Sequence, residues 1–433
     1  MSSRVTPHFS PLTLSPYYSV TVPQTIYLDH AATTPVRPEV REAMLPFLGD
    51  EAFGNPSSAH SLGRAARAGL EAARERVAAA VCALPREVVF TSGGTEADNL
   101  AVLGIAAAGA GGHSWDRVHL VSSPTEHKAV LGALHEAERR GARVTFLPVS
   151  GDGVVDLAAL DDALAGKLPG GRPALVSVMW VNNEVGTVQP IAAVAERCRA
   201  AHVPLHVDGV QALGKLPVDL RAVQCDTLAL SAHKVGGPKG VGALVVRGEL
   251  GLHPQVHGGS QQRGVRPGTE NVAGIVGFGA AAELAACEQP TAAAQLAALR
   301  DSLAQALVAA IPDTVIHGRL AERSPAILNV SAPGTDSEAM LMHLDLAGVA
   351  SASGSACTTG SVEPSHVLEA MGVPRELAIA AVRFSFGALS RQEQVPLVAA
   401  TYAKVVARVR SLRAALGSRP PSGGQPSPGP LTP

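Results

Sequence analysis

Pro204-Leu-His-Val-Asp-Gly-Val-Gln211 and Thr227-Leu-Ala-Leu-Ser-Ala-His-Lys234 decide the fold. Each is an apolar run of strand length that stops abruptly in polar side chains. Neither alternates as a half-wet strand would, so both read as strands buried on two faces. Working outward, Val118-His-Leu-Val-Ser122, Arg143-Val-Thr-Phe-Leu147, Ala174-Leu-Val-Ser-Val-Met179 and Gly242-Ala-Leu-Val-Val246 repeat the pattern. Between them, stretches such as 128–140 and 191–201 have helical period and enough length for crossover helices. The expectation is an α/β fold built on a mostly parallel sheet. After about residue 290 the pattern changes. Residues 293–310 read as a long amphipathic helix, 326–331 and 381–386 as short strands flanking a Gly/Ser-rich segment, and 396–416 as a closing helix. No internal repeat is visible.

Composition narrows the function. The chain has 433 residues, room for two or three domains at about 150 residues each, and 46% of them are hydrophobic against 17% charged. Lys and Arg number 35 and Asp and Glu 37, so nothing in the charge balance favours nucleic acid or an anionic membrane as partner. Five cysteines without a CxxC pair suit a reducing compartment rather than a disulfide framework, and no metal site is expected. The apolar stretch 272–282 is far short of the ~18 residues that cross a bilayer. The Ser/Pro-rich start has neither the compact apolar core of a secretory signal nor the Arg content of a transit peptide. A cytoplasmic protein is expected.

Ligands of open α/β sheets collect at the carboxyl ends of strands, so the polar residues there carry the chemistry. His127 follows the Val118 run, Asn182-Asn183-Glu184 the Ala174 run, Asp208 and Gln211 the Pro204 run, and Ser231-Ala-His233-Lys234 the Thr227 run. Upstream, Thr91-Ser-Gly-Gly94-Thr95-Glu-Ala-Asp-Asn99 reads as a strand-to-helix turn whose free N–H groups can cradle an anion. It is neither a Walker loop nor a dinucleotide fingerprint. A phosphate cradle, a carboxylate and a lysine at one crevice are what pyridoxal phosphate requires. The lysine forms a Schiff base, the carboxylate keeps the pyridine nitrogen protonated, and the cradle holds the phosphate. Thr95, Asp208 and Lys234 supply those three.

At this point the sequence resembles the cysteine desulfurases of the NifS/IscS type, class V aminotransferases of the fold-type I pyridoxal phosphate group. The likeness runs from Tyr27-Leu-Asp-His-Ala-Ala-Thr-Thr-Pro35 to about Ser390. It includes Asn55-Pro-Ser-Ser-Ala-His60, Glu126-His-Lys-Ala-Val130, Val181-Asn-Asn-Glu-Val-Gly186, Arg266-Pro-Gly-Thr-Glu-Asn271 and Gly354-Ser-Ala-Cys357 as well as the motifs above. The resemblance implies a sheet of the seven-stranded type in a large domain, a smaller α+β domain and a homodimer. It implies that Lys234 carries the cofactor and shuttles a proton, Asp208 pairs with the pyridine N–H, Gln211 reaches the phenolate oxygen and His127 stacks on the ring. Gly94, Thr95, Ser231 and His233 would hold the phosphate, with Thr269 reaching that of the neighbouring subunit. Asn183 and Arg383 would orient the substrate, Arg383 through a planar fork on its carboxylate. Cys357 would take sulfur from L-cysteine as a persulfide, leaving L-alanine, and pass it to an acceptor protein such as an iron–sulfur scaffold or a tRNA-thiolating enzyme. Gly209 stands where many relatives have Ala, and His30 where others carry Asn or Tyr.

Plainer readings stand beside these. His127 could be a satisfied core histidine, and Arg383, inside Ala381-Val-Arg-Phe-Ser-Phe386, could be half of a structural ion pair. The other cysteines sit among Ala and Val as small core residues. Ser351-Ala-Ser-Gly-Ser-Ala-Cys-Thr-Thr-Gly-Ser361 has no apolar period and reads as a loop, which suits a thiol that must collect sulfur in one place and deliver it in another. Selenocysteine lyase activity, another pyridoxal phosphate reaction such as transamination, and a non-enzymatic scaffold are the alternatives. The expected organisation is a disordered extension over 1–25, a segment 26–37 belonging to the small domain, a cofactor-binding domain over 38–289, a small domain over 290–416 with the cysteine loop, and a disordered tail over 417–433.

Overall fold

The computed structural model describes residues 25–248, 250–354 and 363–417, so the expectations for Cys357, for residues 1–24 and for the tail beyond Gly417 lie outside the described residues. The chain starts with β1 (Ile26–Tyr27), α1 (Pro38–Met44), α2 (Ser61–Ala80) and β2 (Val88–Thr91). Helix and strand then alternate through α3 (Gly94–Ala110), β3 (His119–Ser122), α4 (Lys128–Arg139) and β4 (Arg143–Phe146). The series continues with α5 (Leu157–Leu164), β5 (Leu175–Ser177), α6 (Ile191–Ala200), β6 (Leu205–Asp208), β7 (Thr227–Ser231) and β8 (Gly242–Val246). Seven of these strands form one sheet in the order β2-β8-β7-β6-β5-β3-β4.

Within that sheet β3 to β7 are parallel, while β8 runs antiparallel to both its neighbours, β7 and β2. The reversal has a simple cause. Only residues 232–241 join β7 to β8, and so short a link cannot carry the crossover helix that a parallel partner needs. Side chains such as Phe90, Val176, Val207, Leu228 and Phe278 form the main core on one face. Leu103, Leu120, Val130, Leu134 and Leu175 pack on the other under α3 and α4. Burial on both faces is why these strands read as continuous apolar runs.

Beyond the sheet come α7 (Val272–Ala310), β9 (Val315–Ile316), β10 (Ile327–Ser331), α8 (Ser337–Leu346) and β11 (Val349–Ala350). The chain closes with α9 (His366–Ala370), α10 (Arg375–Ile379), β12 (Ala381–Ser385) and α11 (Val395–Gly417). Strands β12, β10 and β9 form an antiparallel sheet, and β1 pairs in parallel with β11. Leu299, Leu328, Val382, Phe384 and Tyr402 form a separate core there, joined by Leu28 from the N-terminal segment. That segment stitches the two cores together: the His30 amide donates to the Ser385 carbonyl, and the Thr34 amide donates to the His233 carbonyl.

The helix expected from residue 293 in fact begins at Val272 and runs through Pro290. Its first part is buried all round, from Ala273 to Ala282, so it lacks the polar face that an amphipathic period requires. Pro290 reads in sequence as a stop, yet the helix tolerates the one hydrogen bond the proline ring removes.

Candidate active site

The carboxyl ends of the parallel strands open onto one cavity of about 370 Å³. Lys234, Asp208, Gln211, Ser231 and His233 line it from the ends of β6 and β7, His127 and Asn183 from the turns after β3 and β5, and Gly94 and Thr95 from the start of α3. Arg383 enters from β12. Local chemistry sets each turn. His127 caps α4, its Nδ1 accepting from the Ala129 amide at 3.1 Å. The Asn182 side chain accepts from the Glu184 and Val185 amides at 2.9 Å each, folding the bend that presents Asn183. The Val210 amide donates to Asp208 Oδ1 at 2.9 Å and fixes the carboxylate at the strand end.

Lys234 Nζ donates to the carbonyls of Ala31 at 2.6 Å and Ala32 at 2.8 Å. Burial, reinforced by the Arg383 charge, pushes its ammonium down to about 8. The lysine is therefore poised to lose its proton far more readily than a surface lysine. Asp208 is 4% exposed. Burial raises its pKa, while His127, the Val210 amide and Lys234 pull it back. No side-chain cation bonds this carboxylate among the described residues, which leaves an oxygen for a protonated ring nitrogen. Behind it lies Asp98, whose Oδ1 meets His206 Nε2 at 3.2 Å, and His206 Nδ1 meets Thr227 Oγ1 at 2.9 Å. Burial holds His206 neutral, with its pKa down at about 3. Asp98, His127 and Asp208 each place a ligating atom within 4.8 Å of the others, so a cation bound there would compete with a cofactor for Asp208.

The cavity wall formed by Gly94, Thr95, Ser231 and His233 suits an anion. The N-terminus of α3 points its free amides there, and a Cβ on Gly94 would press on Val210 Cγ2 at 2.7 Å, so the backbone approaches without a side chain. Ser231 Oγ is buried with no partner. Burial and the Lys234 charge lower His233 to about 4, leaving a neutral ring beside Thr33 Oγ1 at 3.1 Å. An orphaned hydroxyl, a helix terminus, an unpaired carboxylate and a depressed lysine fit pyridoxal phosphate residue by residue.

Arg383 makes the ion pair that its plainer reading anticipates. Nη2 donates to Asp29 Oδ1 and Nη1 to the Asn183 carbonyl, each at 2.8 Å, while Nε–H is buried without a partner. Arg383 also lines the cavity. Gln211 Nε2 donates to the Ala31 carbonyl at 2.9 Å. Thr269 is exposed and does not line this cavity, although Arg266 of the same segment donates to Glu96 Oε1 at 2.7 Å beside Thr95. Cys357 lies outside the described residues. Sequence reasoning passed over Asp98, one turn into α3 from Gly94, and Lys215, whose Nζ donates to the Lys234 carbonyl at 2.8 Å. The i, i+4 spacing from Gly94 could have pointed to Asp98. Nothing local marks Lys215.

The sequence matches the aminotransferase class-V family over residues 26–398. A protein of Dictyoglomus turgidum named cysteine desulfurase IscS is 43% identical over 387 residues, 89% of this chain and 96% of that protein. A protein of the same name from Anaeromyxobacter sp. is 47% identical over 391 residues, 90% of this chain and 93% of its own length. Among solved structures, a NifS-like protein superposes with a TM-score of 0.80 at 35% identity, covering 89% of this chain and all 100% of that one. A NifS-like protein from Rickettsia africae gives 0.77 at 30% identity, covering 88% and 99%. Strand order, strand-end residues and these likenesses agree, and the chain belongs to the class-V aminotransferase family, in its NifS/IscS group.

Proposed function

We propose that this protein is a pyridoxal phosphate-dependent cysteine desulfurase that converts L-cysteine to L-alanine and leaves the sulfur as a persulfide on Cys357. The observation that carries the reading is the convergence of Lys234, Asp208, His127 and Arg383 on one cavity in a chain whose relatives bear that name. When bound, pyridoxal phosphate supplies an aldehyde carbon that joins to amines and a ring that withdraws electrons from the substrate α-carbon. Asp208 would hold a proton at the ring nitrogen, and His127 and Gln211 would hold the ring. Gly94, Thr95, Ser231 and His233 would hold the phosphate. Arg383 and Asn183 orient the substrate carboxylate, and Lys234 Nζ takes the α-proton and returns it. The Cys357 thiolate attacks the substrate sulfur. The C–S bond breaks, an S–S bond forms, the thiol is oxidised to a persulfide, and the substrate carbon is reduced to the alanine methyl, so that no external electron carrier is needed.

The working unit in this reading is a homodimer in which Thr269 reaches the partner's phosphate. The division into 26–37 with 290–416 and 38–289 is supported by Leu28 and Leu299 sharing one core. No helix among the described residues is long and apolar enough to cross a membrane, which suits the cytoplasm as the location. The sulfur acceptor is a protein, an iron–sulfur scaffold or a tRNA-thiolating enzyme. Incubating the holoenzyme with L-cysteine and a reductant tests the reaction: alanine and sulfide should rise in equal amounts. Formation of a keto acid without alanine would point to transamination and overturn the reading.

A further inference from the structure

Glu184 has a place in the molecule that the reaction above leaves unused. It follows Asn183, is 3% exposed, and belongs to the turn folded by the Asn182 side chain. Ser365 Oγ donates a short hydrogen bond to Glu184 Oε2. Gly354 packs on the same carboxylate so closely that a Cβ there would clash with Oε2. Gly354 and Ser365 lie on either side of residues 355–362, which contain Cys357. A single buried carboxylate therefore touches the chain where it leaves for Cys357 and where it returns.

The neighbouring contacts extend the same arrangement. The Ala352 and Arg383 backbones exchange hydrogen bonds, at 3.2 Å from the Ala352 amide and 2.6 Å from the Arg383 amide. Arg383 in turn holds the Asn183 carbonyl at 2.8 Å. On the return side, Ser365 also caps α9 through the Val367 and Leu368 amides, and His366 Nε2 lies 3.0 Å from the Glu126 carbonyl, next to His127. The departing chain is thus tied to the residues that would orient the substrate, and the returning chain to the turn that carries His127. Burying a carboxylate here is costly unless its oxygens are satisfied. The Ser365 hydroxyl satisfies Oε2, and the backbone of Gly354 approaches too closely for any side chain there.

We propose that Glu184 is a positioning residue that fixes both roots of the Cys357-bearing segment against the substrate site. The inference rests on Cys357 being the sulfur-accepting nucleophile. Its consequence is that removing the Glu184 carboxylate impairs sulfur transfer without impairing capture of L-cysteine, because Lys234, Asp208 and Arg383 keep their own partners.

The test uses the holoenzyme as wild type, Glu184→Ala, Glu184→Gln and Gly354→Ala. Hydrogen exchange in peptides covering 351–354 and 363–368 reads how firmly the two roots are held. Single-turnover transfer of sulfur from L-cysteine to Cys357 reads position, and the change in cofactor absorption on adding L-cysteine reads substrate binding. Glu184→Ala should speed exchange in both peptides and slow sulfur transfer about tenfold or more, while the dissociation constant for L-cysteine moves less than about threefold. Gly354→Ala should do the same by forcing its methyl onto the carboxylate. Glu184→Gln should stay near wild type, because its amide oxygen still accepts from Ser365, and this rescue separates positioning from general loss of fold. Unchanged exchange in Glu184→Ala, undiminished sulfur transfer, a Gln variant as impaired as the Ala variant, or an equal loss of substrate binding would each overturn the proposal. If the wild-type enzyme makes alanine yet no sulfur appears on Cys357, the nucleophile reading fails and the inference falls with it. A failure confined to the Glu184 and Gly354 variants overturns the inference alone.

Discussion

At Lys234 the environment, rather than the residue type, determines reactivity. Burial and the nearby Arg383 charge favour the neutral amine, so the proton leaves at about 8 instead of at the usual lysine value. Below that pH the ammonium cannot attack an aldehyde. The apoprotein should therefore form its borohydride-reducible link to pyridoxal phosphate at a rate that rises with pH to a plateau, with a midpoint near 8. A stopped-flow pH series checks this, and a midpoint near that of an exposed lysine contradicts it. Lys234→Ala should form no such link. Asp208→Asn keeps an acceptor for the Val210 amide but loses the charge that the proposed reading sets against the ring nitrogen, so turnover should fall by about 100-fold or more while the fold persists by circular dichroism. The sequence made these two residues legible because each ends an apolar strand, a signal that needs no tertiary knowledge. Lys215 was not legible as a neighbour of the site, because its contact with the Lys234 carbonyl depends on what the fold packs there, whereas Asp98 could have been found from its spacing to Gly94.

At the scale of elements, α7 carries the clearest lesson. The sheet strands and crossover helices were readable from period and length, but α7 was read only from residue 293, because its first part shows no polar face and Pro290 imitates a terminus. The expected mostly parallel sheet left room for an antiparallel strand without placing it, and the short link 232–241 places it at β8. Helices α2 and α7 pack so closely that a Cβ on Gly279 would lie 2.7 Å from Ala73 Cα. Replacing glycine by alanine inside a free helix gains up to about 1 kcal/mol in propensity, whereas overpacking a tight contact costs about 1–3 kcal/mol. The contact should win. Gly279→Ala is expected to lower stability, read as a reduced midpoint in urea unfolding with an unchanged slope. An increased midpoint would show that the two helices can separate at little cost.

At the scale of the whole molecule, the cavity belongs to neither core alone. Ala31, Ala32 and Arg383 close it from the side of the C-terminal sheet, and the strand ends close it from the other. The change of pattern near residue 290 falls inside α7, which runs on from the first core to the second, and no local signal announces the return of the N-terminal segment to the later core. The proposed homodimer adds Thr269 from the partner. Subunits carrying Thr269→Ala with intact Lys234, mixed with subunits carrying Lys234→Ala with intact Thr269, should retain linked cofactor better than the Thr269→Ala homodimer. Equal retention, measured by absorption after gel filtration, would argue against a shared site. The central claim is that sulfur leaves L-cysteine on Cys357, and peptide mass mapping of the enzyme after a single turnover tests it most directly. One added sulfur atom, removable by reductant, should appear on the peptide containing Cys357, and Cys357→Ala should bind L-cysteine but lose alanine formation by orders of magnitude. Sulfur on Cys82, Cys198, Cys225 or Cys287 instead, or an undiminished rate in Cys357→Ala, would contradict it.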